Sequence, residues 1–218
     1  MSNPAEHPLA HRITHWINLI NFVVLIITGL LIHSPYQGLP MNLVRNIHFI
    51  FMASLICNGI VRFYISFFGK GANRDFKKFF LDKNDLKTFI PQIKYYLFLQ
   101  KQHPDNPNPY NPLQKLAYIA LPFLAVCQII TGFLLYLPMR FPAVEAALGG
   151  LAPIRSFHYV ITWLFIAIIA VHVYMVFTEA IEQFWYMFFG KKPKNVEDAK
   201  KGDSKKAKKS SPSKSTTV

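Results

Sequence analysis

The run PIRSFHYVITWLFIAIIAVHVYMVFTEAIEQFWYMF, residues 153–188, decides the fold. From Ser156 to Thr178 it carries no formal charge besides two imidazoles, His158 and His172. At ~1.5 Å rise per residue this stretch crosses a ~30 Å hydrocarbon core, so it is read as a membrane helix. Fourteen residues at ~100° each bring His172 back to within ~40° of His158, ~21 Å further along. Both rings then face one interior near opposite leaflets. An ionisable group inside a membrane is costly and marks a functional site. Two axial ligands for two stacked haems explain this arrangement best.

Composition supports a polytopic membrane chain. Of 218 residues, 52% are hydrophobic and 15% aromatic, and the apolar residues come in blocks. The net charge of +13 sits between and after those blocks, which points to membrane topology rather than nucleic acid. Only Cys57 and Cys127 occur, both in apolar runs. That leaves no disulfide framework, no zinc or iron-sulfur spacing and no C-x-x-C-H attachment, so any haem is non-covalent and of b type. The opening MSNPAEHPLAHR has no cleavage-type segment, so the first apolar run is expected to be retained.

Three further spans are read along the chain, at Ile13–His33, Leu43–Phe68 and Leu113–Leu137. The stretch 85–99, DLKTFIPQIKYYLFL, mixes apolar and basic residues as an interfacial helix does, with Pro91 inside it. HPDNPNPYNP, 103–112, is a turn-rich loop. The tail after Gly190 carries ten lysines and reads as disordered. The expected architecture is an all-α membrane protein, a bundle of four transmembrane helices over residues 1–190 with a basic tail at 191–218. Basic residues set its orientation. Eight Lys or Arg lie between Lys70 and Tyr110 and ten in the tail, against Arg140 alone in the two remaining loops. Both termini are therefore expected to be cytoplasmic.

Topology pairs the histidines by depth: His48 with His158 near the outer face, His15 with His172 near the inner. The inner pair matches imperfectly. His15 falls a residue or two inside its span and His172 ~10 Å inside. His33 also returns to the face of His15, but at a helix end, and ranks below His48 as a ligand. Arg12, Arg45 and Arg155 each precede a histidine by three residues, one helical turn, where a guanidinium can pair with a haem propionate. Arg62 lies fourteen residues after His48 and needs a partner, a propionate or a quinone-site group. Gly29, fourteen after His15, offers room for a macrocycle near the backbone. Ile26-Ile27-Thr28-Gly29 recurs as Ile129-Ile130-Thr131-Gly132, an echo with chance as its rival. Each feature has a plainer reading: helix-to-helix hydrogen bonds for the histidines, interfacial charge for the arginines, close packing for the glycines.

Taken together, Arg12-x-x-His15-Trp16-x-Asn18, Arg45-Asn-Ile-His48-Phe49, Ile93-Lys94-Tyr95-Tyr96-Leu97, Tyr110-Asn111-x-x-Gln114-Lys115 and the His158/His172 pair resemble the cytochrome b subunit of membrane-bound nickel-iron hydrogenases, formate dehydrogenases and thiosulfate reductases. The resemblance covers about residues 8–188. It implies two haem b groups on the pairs derived above, and a menaquinone or ubiquinone site near the inner haem at Asn111, Gln114 and Lys115. It also implies a multi-pass protein of the prokaryotic cytoplasmic membrane. The function expected is electron transfer between the quinone pool and an iron-sulfur or cytochrome subunit of a larger complex, with catalysis belonging to the partner. Membrane lipid is the other expected contact. The long basic tail departs from the family pattern; its default reading is a solvated charged segment, with anionic lipid or an acidic partner as the alternatives. The alternatives are a haem-free transporter or membrane anchor that uses the same His and Arg, and an ascorbate-linked b561-type cytochrome. In the latter the ligands come from two helices with two histidines each.

Overall fold

The structure is a computed structural model that describes residues 8–76, 80–96, 99–100, 102, 112–179 and 181–190. All regular structure among them is helical: α1 (Leu9–His33), α2 (Met41–Phe68), a 3₁₀ turn (Gly71–Asn73), α3 (Lys83–Tyr96), α4 (Pro112–Tyr136), α5 (Pro142–Ala147), α6 (Leu151–Glu179) and α7 (Ile181–Phe189). Four of these, α1, α2, α4 and α6 through Thr178, are long and apolar enough to cross a membrane. The turn-rich segment 103–111 and the basic tail 191–218 lie outside the described residues.

Proline sets most of the boundaries. α1 begins directly after Pro8, whose carbonyl accepts the amides of His11 and Arg12. It ends at His33, because Pro35 disfavours helical backbone at Ser34. α2 starts after Pro40 and closes at Gly69, whose amide bonds Ile65 O at 2.9 Å. Pro112 opens α4, where a missing N–H costs nothing, and Pro153 sits in the first turn of α6. α3 is capped by Asp82, which accepts the amides of Asn84 and Asp85 while Asp85 accepts the Asp82 amide, a reciprocal box at the helix start.

The described residues fall into two compact units, one within 1–172 and one within 173–218. In the first unit the spans close into a ring in the order α1, α2, α4, α6. Asn58 on α2 donates to Thr14 O at 2.8 Å and to Asn18 Oδ1 at 2.6 Å on α1. Phe49 on α2 meets Tyr136 on α4 with ring centroids 4.1 Å apart. Gln128 on α4 donates to Thr162 on α6 at 3.0 Å. Phe22 on α1 and Phe165 on α6 complete the ring at 5.1 Å. Neighbours in this ring run antiparallel, each span crossing opposite to the one before it.

Polarity is inverted relative to a water-soluble fold. Thr14, Asn21, Thr28, Asn58, Thr131 and Thr162 are buried, whereas Ile20, Ile60, Phe123 and Val160 are exposed. Apolar side chains facing outward suit hydrocarbon, and the inward threonines bond carbonyls of their own helices while Asn58 bonds α1; Asn21 Nδ2 has no partner among the described residues. Thr14, Asn21 and Thr28 recur every seven residues, the period of a left-handed supercoil.

The second unit holds the last turns of α6 together with α7. There Phe177 and Phe184 lie 5.7 Å apart and Trp185 stacks on Phe189.

Candidate functional site

Each of two histidines is held by the helix next to its own. His48, near the start of α2, has Nδ1 2.8 Å from Thr28 Oγ1 on α1. His158, near the start of α6, has Nδ1 2.8 Å from Thr131 Oγ1 on α4. A methyl placed on Gly29 would touch His48 Cε1 at 3.4 Å, and one on Gly132 would touch His158 Cε1 at the same distance. The tetrapeptide echo is therefore a repeated structural device: its threonine bonds an imidazole and its glycine makes room for the ring edge. What approaches Gly29 in the described structure is the imidazole of His48. The two sockets are near neighbours, since Met52 Sδ, one turn beyond His48, would also lie 3.9 Å from a Gly132 methyl.

His15 and His172 come together on α1 and α6, with ring centroids 6.3 Å apart and planes at 52°. Because the two rings meet, the mismatch in depth expected from the sequence is absent. His33 has a different occupation. It stacks on Tyr159 with centroids 3.9 Å apart and planes 11° from parallel.

The arginines divide into two kinds. Arg45 and Arg155 are exposed and form no ion pair among the described residues. Arg62 has a carboxylate within the chain, donating to Asp75 Oδ2 at 2.6 Å and Oδ1 at 3.3 Å. Ser66 donates to the same carboxylate at 2.5 Å, and His11 Nδ1 stands 3.5 Å from it. Burial alone would raise the Asp75 pKa. The hydrogen bonds of Arg62 and Ser66 and the charges of Arg62 and His11 overcome it and hold the carboxyl below its ordinary value. Arg12 is half-buried.

A second buried pair ties α3 to α4: Lys115 Nζ lies 2.6 Å from Asp85 Oδ2, with the lysine side chain 5% and the aspartate 0% exposed. Gln92, also on α3, is fully buried. Gln114 stands beside Lys115 at the start of α4, and Asn111 lies outside the described residues. The Asp75 and Asp85 clusters escape sequence reading because their partners are 9 to 64 residues away. An acidic side chain within a basic loop is the only local hint.

These residues fit a haem. The donor set is neutral imidazole, the usual axial ligand of b-type haems, and the Nδ1 bonds of His48 and His158 leave Nε2 as the nitrogen for a metal. Cys57 and Cys127 are free and unconnected with any attachment motif. Four membrane spans that bring His15 to His172 and set His48 and His158 in neighbouring sockets fit a b-type membrane cytochrome.

The comparisons agree. The family model described as prokaryotic cytochrome b561 matches residues 6–190, and the chain belongs to that family. It is 27% identical to the putative protein-methionine-sulfoxide reductase subunit YedZ1 of Azospira oryzae over 79% of this chain and 90% of the relative. It is 29% identical to the probable Ni/Fe-hydrogenase 1 B-type cytochrome subunit of Escherichia coli K12, over 78% and 80%. The probable Ni/Fe-hydrogenase B-type cytochrome subunit of Azotobacter vinelandii matches at 29%, over 81% and 80%. The protein is thus a multi-pass b-type cytochrome of the prokaryotic cytoplasmic membrane with an electron-transfer role, and the haem-free transporter or anchor is set aside.

Proposed function

We propose that the chain binds two haem b groups, one between His48 and His158 and one between His15 and His172, and passes electrons between a partner redox subunit and the quinone pool. Haem b supplies one-electron carriage through its iron. The observation that carries the reading is the 6.3 Å between the His15 and His172 ring centres. Two metal–nitrogen bonds of ~2.0 Å, plus ~1.1 Å from each ring centre to its nitrogen, separate opposed imidazoles by ~6 Å. The distribution of the four histidines, one on α1, one on α2 and two on α6, fits this pairing better than two helices with two histidines each.

The chain's own groups do the rest. Arg45 and Arg155, one turn from His48 and His158, are placed to neutralise propionates, with Arg12 in the same relation to His15. The end of the bundle that holds the start of α1 also holds Arg62, Asp75, Lys115 and Asp85. We place the quinone there, against Gln114 and Lys115 together with Asn111, with Asp75 and His11 positioned to exchange protons with the aqueous side. That end is assigned to the cytoplasm by the basic residues flanking it. The partner is an iron-sulfur or cytochrome subunit at the opposite end. Support comes from the relatives, whose names make them subunits of hydrogenases or of a methionine-sulfoxide reductase.

The test is haem quantification on the purified full-length protein, with single His-to-Ala changes at positions 15, 48, 158 and 172. Two haems per chain are expected, with the first and last changes emptying one site and the middle two emptying the other. A preparation holding its native pigment with one haem or none per chain overturns the reading.

A further inference from the structure

We propose that Thr28 and Thr131 are positioning residues that lock His48 and His158 in the Nδ1–H tautomer, so that both rings present a bare Nε2 to one shared iron. The inference rests on the haem ligation proposed above and adds two residues that do not themselves touch the metal.

The argument is a hydrogen count. A threonine hydroxyl has one hydrogen to donate. Thr28 Oγ1 lies 2.7 Å from Val24 O and 3.3 Å from Leu25 O. A carbonyl has no hydrogen, so a 2.7 Å approach between the two oxygens places the hydroxyl hydrogen between them. The remaining contact of Thr28, at 2.8 Å to His48 Nδ1, must then be a bond that the hydroxyl accepts. His48 therefore carries its hydrogen on Nδ1. Thr131 repeats the pattern. Its hydroxyl lies 2.7 Å from Cys127 O and 3.2 Å from Gln128 O, so it accepts from His158 Nδ1 at 2.8 Å.

The glycine that follows each threonine completes the socket. Cε1 is the ring carbon between the two nitrogens, and Gly29 and Gly132 are the residues against it on His48 and His158. A side chain larger than a methyl there would press the ring away from the hydroxyl. Neutral imidazole otherwise exchanges between tautomers and can flip about its bond to Cβ. Here the back-bonded hydroxyl admits one tautomer and the glycine one ring pose. Donation from Nδ1–H also raises the basicity of Nε2, which favours the oxidised iron and lowers its potential.

The experiment uses the full-length protein in detergent with Thr28→Val, Thr131→Val and the corresponding Ser variants. Both Val variants keep the shape of the side chain and remove the hydroxyl. Expected are a raised midpoint potential and altered low-spin ferric signal for the haem of His48 and His158 alone, with roughly 10–100-fold weaker haem retention there. Both Ser variants should restore the wild-type values. Unchanged potential and signal in the Val variants, an effect confined to the other haem, or Ser variants that behave as Val all overturn the proposal. ¹⁵N shifts of the two rings in haem-free wild-type protein provide a readout that needs no variant and no cofactor. Nδ1–H at both rings supports the lock, and Nε2–H or a mixture at either overturns it. If the wild type proves to hold fewer than two haems, the ligation reading falls, while the ¹⁵N result still decides the tautomer.

Discussion

Lys115 and Asp85 form a salt bridge with almost no access to water, joining the first turn of α4 to the capping box of α3. Neither charge is tolerable there alone. Lys115→Ala leaves a buried carboxylate without its cation and is expected to cost ~3–5 kcal/mol. Denaturant unfolding of the detergent-solubilised protein measures it, and Asp85→Asn in the same chain should recover part of the loss.

Asp75 gives the fold an acid limit. Its carboxyl titrates below 3.8 in the folded chain and near 3.8 when unfolded. The unfolded state therefore binds its proton first as pH falls, and the stabilisation present above pH 3.8 is lost as pH drops through the folded value. Melting temperature against pH for wild type and Asp75→Asn should show the difference between them narrowing below pH 3.8. A constant gap down to the lowest accessible pH would contradict the assignment.

His33 is bound up with Tyr159 and is expected to leave haem content untouched when changed to Ala. The lost ring contact should cost ~0.5–1.5 kcal/mol. Reduced-minus-oxidised spectra of His33→Ala beside His48→Ala provide the check, and loss of a haem from the former would reassign the ligand.

Gly29→Ala and Gly132→Ala add a methyl at ordinary contact distance, 3.4 Å from an imidazole carbon. They should be nearly neutral. Valine at either place drives a branch into the ring and is expected to cost ~1–3 kcal/mol. Haem occupancy at the proposed site of His48 and His158 should fall with it, which a titration of apoprotein with haemin would register.

The four spans were legible in the sequence because lipid allows few solutions: ~20 apolar residues with every backbone group paired internally. Helix starts were less so. α1 begins at Leu9, four residues before the apolar run, since a helix need not stop where hydrocarbon does. The histidines were visible as ionisable groups in the wrong solvent. Their supports were not. Gly29 read as room for a macrocycle and Thr28 only as part of a repeated tetrapeptide, and the meeting of α1 with α2 shows that they define a socket for His48. Asp75 lies in a basic loop, and its pairing with Arg62 and His11 depends on how that loop folds back over the helix ends.

The socket of His48 lies wholly within the first helical hairpin, whereas that of His158 joins the second pair of spans. During synthesis, then, residues 9–68 can aim one imidazole before the remainder of the chain has left the ribosome. The later pair can do the same unaided. Assembly becomes the docking of two preset halves, and neither has to search for a side-chain pose once they meet.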